Sequence, residues 1–212
     1  MQFTTFFFDL DDTLYPPATG LWEAIAGRIT QYLVERMKFP PEQVQSIREK
    51  YFREYGTTLR GLQANHAVDM EDYLAFVHDV PLNHYLRPNP DLCAAISGIP
   101  EKKFIFTNAD TNHAKRVMEI VGLQRLFDGI IDVHAMAPFC KPMPGAFELA
   151  LKAAGSPDPH GCVLLDDQPR ITRAAGSLGF YTILVGKAIP GDDADAALVH
   201  LAALPGLLDG RI

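Results

Sequence analysis

From residue 103 onward, short apolar runs alternate with stretches of helical periodicity, and that alternation constrains the fold more than any other feature. Residues 103–106, 129–133, 163–165 and 181–185 are short and largely apolar. Between them, residues 111–121, 144–154 and 169–178 carry apolar side chains at helix spacing, with Ala114, Val117, Met118 and Val121 in register in the first. Strands joined by helices make a parallel sheet covered on both faces. Residues 4–8, TTFFF, extend the pattern to the N-terminus. A run that apolar without polar alternation is expected to be a strand buried on both sides. The C-terminal stretch 195–204 is expected to be a further helix.

Between the first strand and the next lies a long departure from the pattern. Leu21, Trp22, Ile25, Ile29, Tyr32, Leu33 and Met37 form one helical stripe. Pro40-Pro41 opens a second helix, with Val44, Ile47, Tyr51, Phe52 and Tyr55 on one side, and residues 70–77 form a third. An insertion of about seventy residues is a subdomain rather than a loop. The expected organisation is therefore an α/β core of residues 1–16 and 88–212, with an all-helical insertion at 17–87.

Composition narrows the function. The chain of 212 residues has a net charge of −7, which argues against a nucleic acid polymer as partner. Cys93, Cys140 and Cys162 have neither metal-ligand spacing nor the look of a disulfide framework, so a reducing, cytoplasmic location is expected. No run approaches the roughly 18 apolar residues of a membrane helix. A monomer or homodimer is expected.

Chemistry should collect beyond the carboxyl ends of a parallel sheet's strands. The first strand runs into Asp9, Asp11 and Asp12; the second into Thr107, Asn108 and Asp110; Lys141 follows the third; Asp166 and Asp167 follow the fourth. Clustered carboxylates repel unless positive charge joins them. Carboxylates with one lysine suit a hard divalent cation and a phosphate, with Mg²⁺ the expected ion. Asp12 reads as a turn residue, and His66, His78 and His84 as surface or packing residues.

The four strand ends resemble the motifs of haloacid-dehalogenase-superfamily phosphohydrolases. DLDDTL at residues 9–14 is similar to the first motif, FTN at 106–108 to the second, Lys141 in KPMP to the third, and LLDD at 164–167 to the fourth. The likeness covers the whole chain, and the inserted helices resemble the cap that follows the first motif in many members. It implies a Rossmann-like, HAD-like core with helices on both faces. It also implies Asp9 as nucleophile, forming an aspartyl-phosphate, and Asp11 as general acid and then base. The metal would be held by Asp9, the Asp11 carbonyl and Asp167, with Asp166 supporting, and Thr107, Asn108 and Lys141 would hold the phosphoryl group. An acid at Asp11 argues against dehalogenation, since a halide leaves without a proton. Gln168 and Ile171 stand where relatives often have Ser and Asn.

Tyr15, YGTTLRGL at residues 55–62 and DYLAFVHD at 72–79 resemble the pyrimidine 5′-nucleotidase subgroup. Thr57 and Thr58 can hydrogen-bond a base or sugar, and Arg60 can meet an anion. Tyr55 or Trp22 can either stack on a base or pack among the helices. The expected substrate is a small phosphate ester, a nucleoside monophosphate first. The alternatives are phosphoglycolate or a sugar phosphate, a phosphomutase substrate, or a non-catalytic binding module.

Overall fold

The computed structural model describes residues 3–208. Its sheet has six strands, all pairing parallel, in the order β3-β2-β1-β4-β5-β6. The strands are β1 (Thr5–Phe8), β2 (Lys102–Phe106), β3 (Gly129–Ile131), β4 (Cys162–Asp166), β5 (Tyr181–Val185) and β6 (Ala196–Leu198). β1 lies at the centre, with Phe8 opposite Ile105 on one side and Leu165 on the other.

The alternation of side chains along β1 divides the interior into two layers. Phe6 and Phe8 enter one, with Ile105, Val163 and Leu165. Phe7 enters the other, where its ring centroid lies 5.9 Å from Phe104, 6.0 Å from Phe106 and 5.8 Å from Phe180. Both faces being apolar explains why the sequence run shows no polar alternation.

The insertion carries α1 (Leu21–Glu35), α2 (Pro41–Tyr55), α3 (Thr58–Asn65), α4 (Met70–Val77) and α5 (Leu82–Tyr85), and no strand among the described residues. α1 buries Leu21, Ile25, Ile29, Tyr32 and Leu33, and the Tyr32 and Tyr73 rings meet edge to face at 5.0 Å, joining α1 to α4. Further helices are α6 (Pro90–Ser97), α7 (Thr111–Val121), α8 (Pro144–Ala153), α9 (Pro169–Ser177) and α10 (Leu204–Leu208). α6, α8 and α9 each have proline in the first turn, where its missing N–H is harmless.

The expected helix at 195–204 is corrected. Ala196–Leu198 pairs with β5 as the edge strand β6. Asp195 fixes it there, its carboxylate accepting from Thr182 N at 2.8 Å and Thr182 Oγ1 at 2.9 Å. Tertiary pairing overrides the helix preference of the alanines. The strand expected at 129–133 ends at Ile131, because Asp132 turns to accept from Thr111 N and Oγ1 at the start of α7. α3 and α5 fall within the segment expected to be all-helical, and α6 had no sequence expectation.

Candidate active site

Asp9 is the first residue beyond β1, its N–H still paired with Leu165 O at 2.9 Å. Lys141 Nζ lies 2.7 Å from Asp9 Oδ1 and 2.7 Å from Asp166 Oδ2. The lysine is only 1% exposed, so its ammonium is a buried counter-charge shared by two strand ends. Those two carboxylates raise the Lys141 pKa further, outweighing the opposing effect of burial. Thr13 Oγ1 donates to Asp9 Oδ2 at 3.0 Å, orienting the carboxylate from the other side.

Asp9, Asp166 and Asp167 offer oxygens that all lie within 4.8 Å of one another. Burial, which outweighs the pull of Lys141, and the neighbouring charge of Asp166 push Asp9 up to about 7. Burial and the charges of Asp9 and Asp166 push Asp167 up to about 8. A buried carboxylate group that resists ionisation is short of positive charge. Asp167 Oδ1 is also buried without a hydrogen-bond partner among the described residues. The oxygen donor set and this orphan oxygen fit a hard divalent cation, with Asp9 and Asp167 as ligands. Asp166 is already engaged at both oxygens, by Lys141 and by Gln168 N at 2.9 Å.

Asp11 is not part of that group. Its Oδ1 accepts from Tyr15 Oη at 2.5 Å and lies 2.8 Å from His113 Nε2. Burial acts to raise the Asp11 carboxyl, but the charge and hydrogen bond of His113, with the Tyr15 hydroxyl, bring it below the usual carboxylate value. Asp12 adopts φ 59°, the left-handed region of a turn, as expected.

These groups open into a cavity of about 510 Å³ between the sheet edge and the inserted helices. Asp9, Asp11, Thr107 and Lys141 line its floor; Ile25, Ile29, Leu74 and Val77 give it an apolar far wall. Trp22 and Phe52 line it too and remain 40% and 44% exposed.

The family profile of the haloacid dehalogenase-like hydrolases matches residues 3–179. The chain belongs to that family. Phosphate metabolism protein 8 of Saccharomyces cerevisiae is 32% identical over 193 residues, covering 84% of this chain and 60% of that protein. Among solved structures, the HAD phosphatase from Thermococcus onnurineus aligns over 99% of each chain at a TM-score of 0.65 and 16% identity. The HAD-hydrolase YfnB from Bacillus subtilis, solved bound to magnesium, covers 99% of this chain and 100% of that one at 0.62 and 17%. L-2-haloacid dehalogenase from Xanthobacter autotrophicus covers 100% of both at 0.61 and 19%. At these identities the likeness to solved structures is one of fold.

Within this haloacid dehalogenase-like hydrolase, several residues expected to touch substrate have other duties. Asn108 lines the cavity, and its amide also holds the Lys141 backbone, donating to Lys141 O at 3.1 Å and accepting from Lys141 N at 2.9 Å. Arg60 is buried, and its guanidinium donates to Val133 O at 2.7 Å and Phe139 O at 2.7 Å. It ties α3 to the core, and no donor is left facing an anion in the cavity. Tyr55 packs edge to face on Tyr51 at 5.8 Å and is not among the cavity-lining residues. Thr57 and Thr58 do line it, Thr57 also capping α3 by accepting from Arg60 N at 3.2 Å. Trp22 has the exposed, cavity-facing position of the stacking alternative.

The glycine between α2 and α3 explains how the insertion comes so close to Cys140 and Lys141. Gly56 has φ 82°, and a Cβ there would stand 2.7 Å from Cys140 Sγ and 3.3 Å from Lys141 O. Only glycine combines that conformation with that approach.

Sequence reading missed Arg170 and His113. Arg170 reaches from α9 to the insertion, its guanidinium 3.6 Å from the Phe52 ring centre and donating to Gly56 O at 3.0 Å. Gln168 accepts from Arg170 Nε at 3.0 Å, which gives the departure from Ser a purpose. Ile171 is buried against the second apolar layer. His78, read as a surface or packing residue, is buried and lines the cavity. The one available signal was an acidic surplus at the strand ends, which calls for more donors than Lys141.

Proposed function

We propose that this hydrolase cleaves phosphomonoesters through an aspartyl-phosphate on Asp9, requires Mg²⁺, and takes a pyrimidine nucleoside 5′-monophosphate. The observation that carries the reading is the placing of Asp9 at the cavity floor, between the Lys141 ammonium and the unpartnered oxygen of Asp167. An anionic nucleophile approaches an anionic phosphate only where positive charge offsets the repulsion. Mg²⁺ held by Asp9 and Asp167 would supply such charge.

The Asp9 carboxylate attacks phosphorus while the bond to the leaving oxygen breaks, and Asp11 delivers a proton to that oxygen. The phosphate's own charge, arriving beside Asp11, raises it toward the protonated form that can donate. Water then attacks the aspartyl-phosphate, Asp11 takes its proton, and phosphate leaves with Asp9 restored. One group serves as acid and then base. Lys141 and Thr107 stand where they can hold the phosphoryl oxygens.

The substrate assignment is supported by the cavity lining, which sets Trp22, Phe52, Thr57 and Thr58 in one pocket with the carboxylates. A planar base on a polar sugar matches that mixture better than a polyhydroxylated sugar phosphate. The name of the yeast relative, a phosphate metabolism protein, agrees with phosphate chemistry.

The test is phosphate release from UMP, CMP, AMP, phosphoglycolate and glucose 6-phosphate, with Mg²⁺ and with chelator. UMP and CMP should be preferred, and chelator should abolish release. Preference for phosphoglycolate over every nucleotide overturns the substrate, and full activity of Asp9→Asn overturns the nucleophile.

A further inference from the structure

Two stacked histidines adjoin the cavity, and neither takes part in the chemistry above. His113, in the first turn of α7 and 1% exposed, has Nε2 2.8 Å from Asp11 Oδ1. Tyr15 Oη donates to that same oxygen at 2.5 Å. Asp11 Oδ2 has no hydrogen-bond partner among the described residues. A carboxylate bound through one oxygen from two directions is fixed in rotation, and its other oxygen is left to exchange a proton.

His78 comes from the insertion, at the C-terminal end of α4. Its ring stacks on that of His113, centroids 4.2 Å apart and planes 14° from parallel. Its Nδ1 is 2.5 Å from Asp110 Oδ2, while Asp110 Oδ1 accepts from His113 N at 2.9 Å. Arg116 on α7 donates to His78 O and Val80 O, each at 2.9 Å, and so binds the end of α4 to the core. His113 Nδ1 is buried with no partner among the described residues. Apart from the contact with Asp11, therefore, the His113 ring has no hydrogen bond among the described residues, and the face of His78 lies against it.

We propose that His113 is a positioning residue for Asp11, and that His78 holds the His113 ring, so that Asp11 is aimed for proton transfer only when the insertion is seated on the core. The proposal rests on the reading of Asp11 as the proton carrier. It makes docking of the inserted helices and correct aim of the acid one event, because His78 travels with α4 while Asp11 stays on the sheet edge.

The test compares kcat/KM for two leaving groups, p-nitrophenyl phosphate and UMP. This constant extends only to departure of the leaving group, so hydrolysis of the aspartyl-phosphate does not enter it. p-Nitrophenolate leaves without a proton; an alkoxide needs one. His113→Leu should lower kcat/KM for UMP by roughly 10- to 100-fold and for p-nitrophenyl phosphate by less than about threefold. His113→Gln, which keeps a side-chain N–H near the place of Nε2, should recover most of the loss, and His78→Ala should show the same selectivity in weaker form. Equal losses with both esters, or wild-type values for His113→Leu, overturn the proposal. Should His113→Leu fail to fold, as thermal melting would show, the absence of selectivity in His78→Ala overturns it. Asp11→Asn separates the two failures. If that variant keeps wild-type kcat/KM for UMP, the reading of Asp11 falls and the proposal with it. If it loses UMP turnover selectively while His113→Leu does not, the proposal falls alone.

Discussion

Asn108 and Lys141 are joined by two hydrogen bonds, the Asn108 amide donating to Lys141 O at 3.1 Å and accepting from Lys141 N at 2.9 Å. The lysine backbone is thus clamped to the end of β2, and from there its side chain reaches Asp9 and Asp166. The second strand end thus contributes to the site by placing the ammonium.

Asn108→Ala removes both bonds and frees the Lys141 backbone. The expected result is a fall in kcat of about tenfold or more, since one misplaced charged group costs catalysis steeply, with KM little changed. A rise in KM at unchanged kcat would show instead that the amide holds substrate. Steady-state kinetics on the best ester decides.

Stability of the metal-free protein should fall as pH rises. Asp9 is pushed up to about 7 and Asp167 to about 8, both from an ordinary 3.8, chiefly by burial. In the unfolded chain both lose their protons near 3.8; in the folded protein they keep them longer. Between about pH 4 and pH 8 the folded state therefore binds more protons, and its stability declines across that window. A divalent cation replaces those protons. Mg²⁺ should accordingly raise the melting temperature more at pH 8 than at pH 5.5, as calorimetry with and without chelator would measure. An equal shift at both pH values would place the cation elsewhere.

The parts of the fold that could be read in the sequence are those fixed by local pattern. The run Thr5–Phe8 could be read as a doubly buried strand because its three phenylalanines serve two apolar layers. Asp9 and Asp167 could be placed because strand ends in a parallel sheet share one edge; Lys141, well past the end of β3, is brought there by Asn108. β6 could not, since its pairing with β5 is decided by Asp195 reaching back to Thr182. Arg60 and Arg170 could not be assigned, because their partners are backbone carbonyls far along the chain, which leave no mark in composition or spacing. The His78–His113 stack joins the insertion to the core across a sequence gap that no periodicity spans.

Arg60→Met tests the duty of a buried arginine between insertion and core. The substitution keeps apolar bulk but leaves Val133 O and Phe139 O without their donors. Val133 O, in the buried one of the two contacts, is then left unsatisfied at a cost of about 1–3 kcal/mol. A clear drop in the denaturant midpoint is expected, while KM for nucleotide in the folded protein changes little. A selective rise in KM at wild-type stability would return Arg60 to the substrate.

Trp22 and Phe52 give the sharpest test of what the cavity accepts. Both line it and both are more than a third exposed, so neither holds the core together. Trp22→Ala should leave the melting temperature nearly unchanged. It should raise KM for UMP by roughly three- to tenfold, the equivalent of an aromatic contact of about 0.5–1.5 kcal/mol. For a substrate without a ring, such as phosphoglycolate, KM should stay where it was, because nothing in that molecule reaches the aromatic face. Phe52→Ala should act in the same direction and also release Arg170, whose guanidinium rests on the Phe52 ring; the double variant should then differ from the sum of the two if both rings touch one base. KM values for UMP and phosphoglycolate in the three variants check all of this. A proportional rise for both substrates would remove the stacking face and leave the substrate's ring unaccounted for.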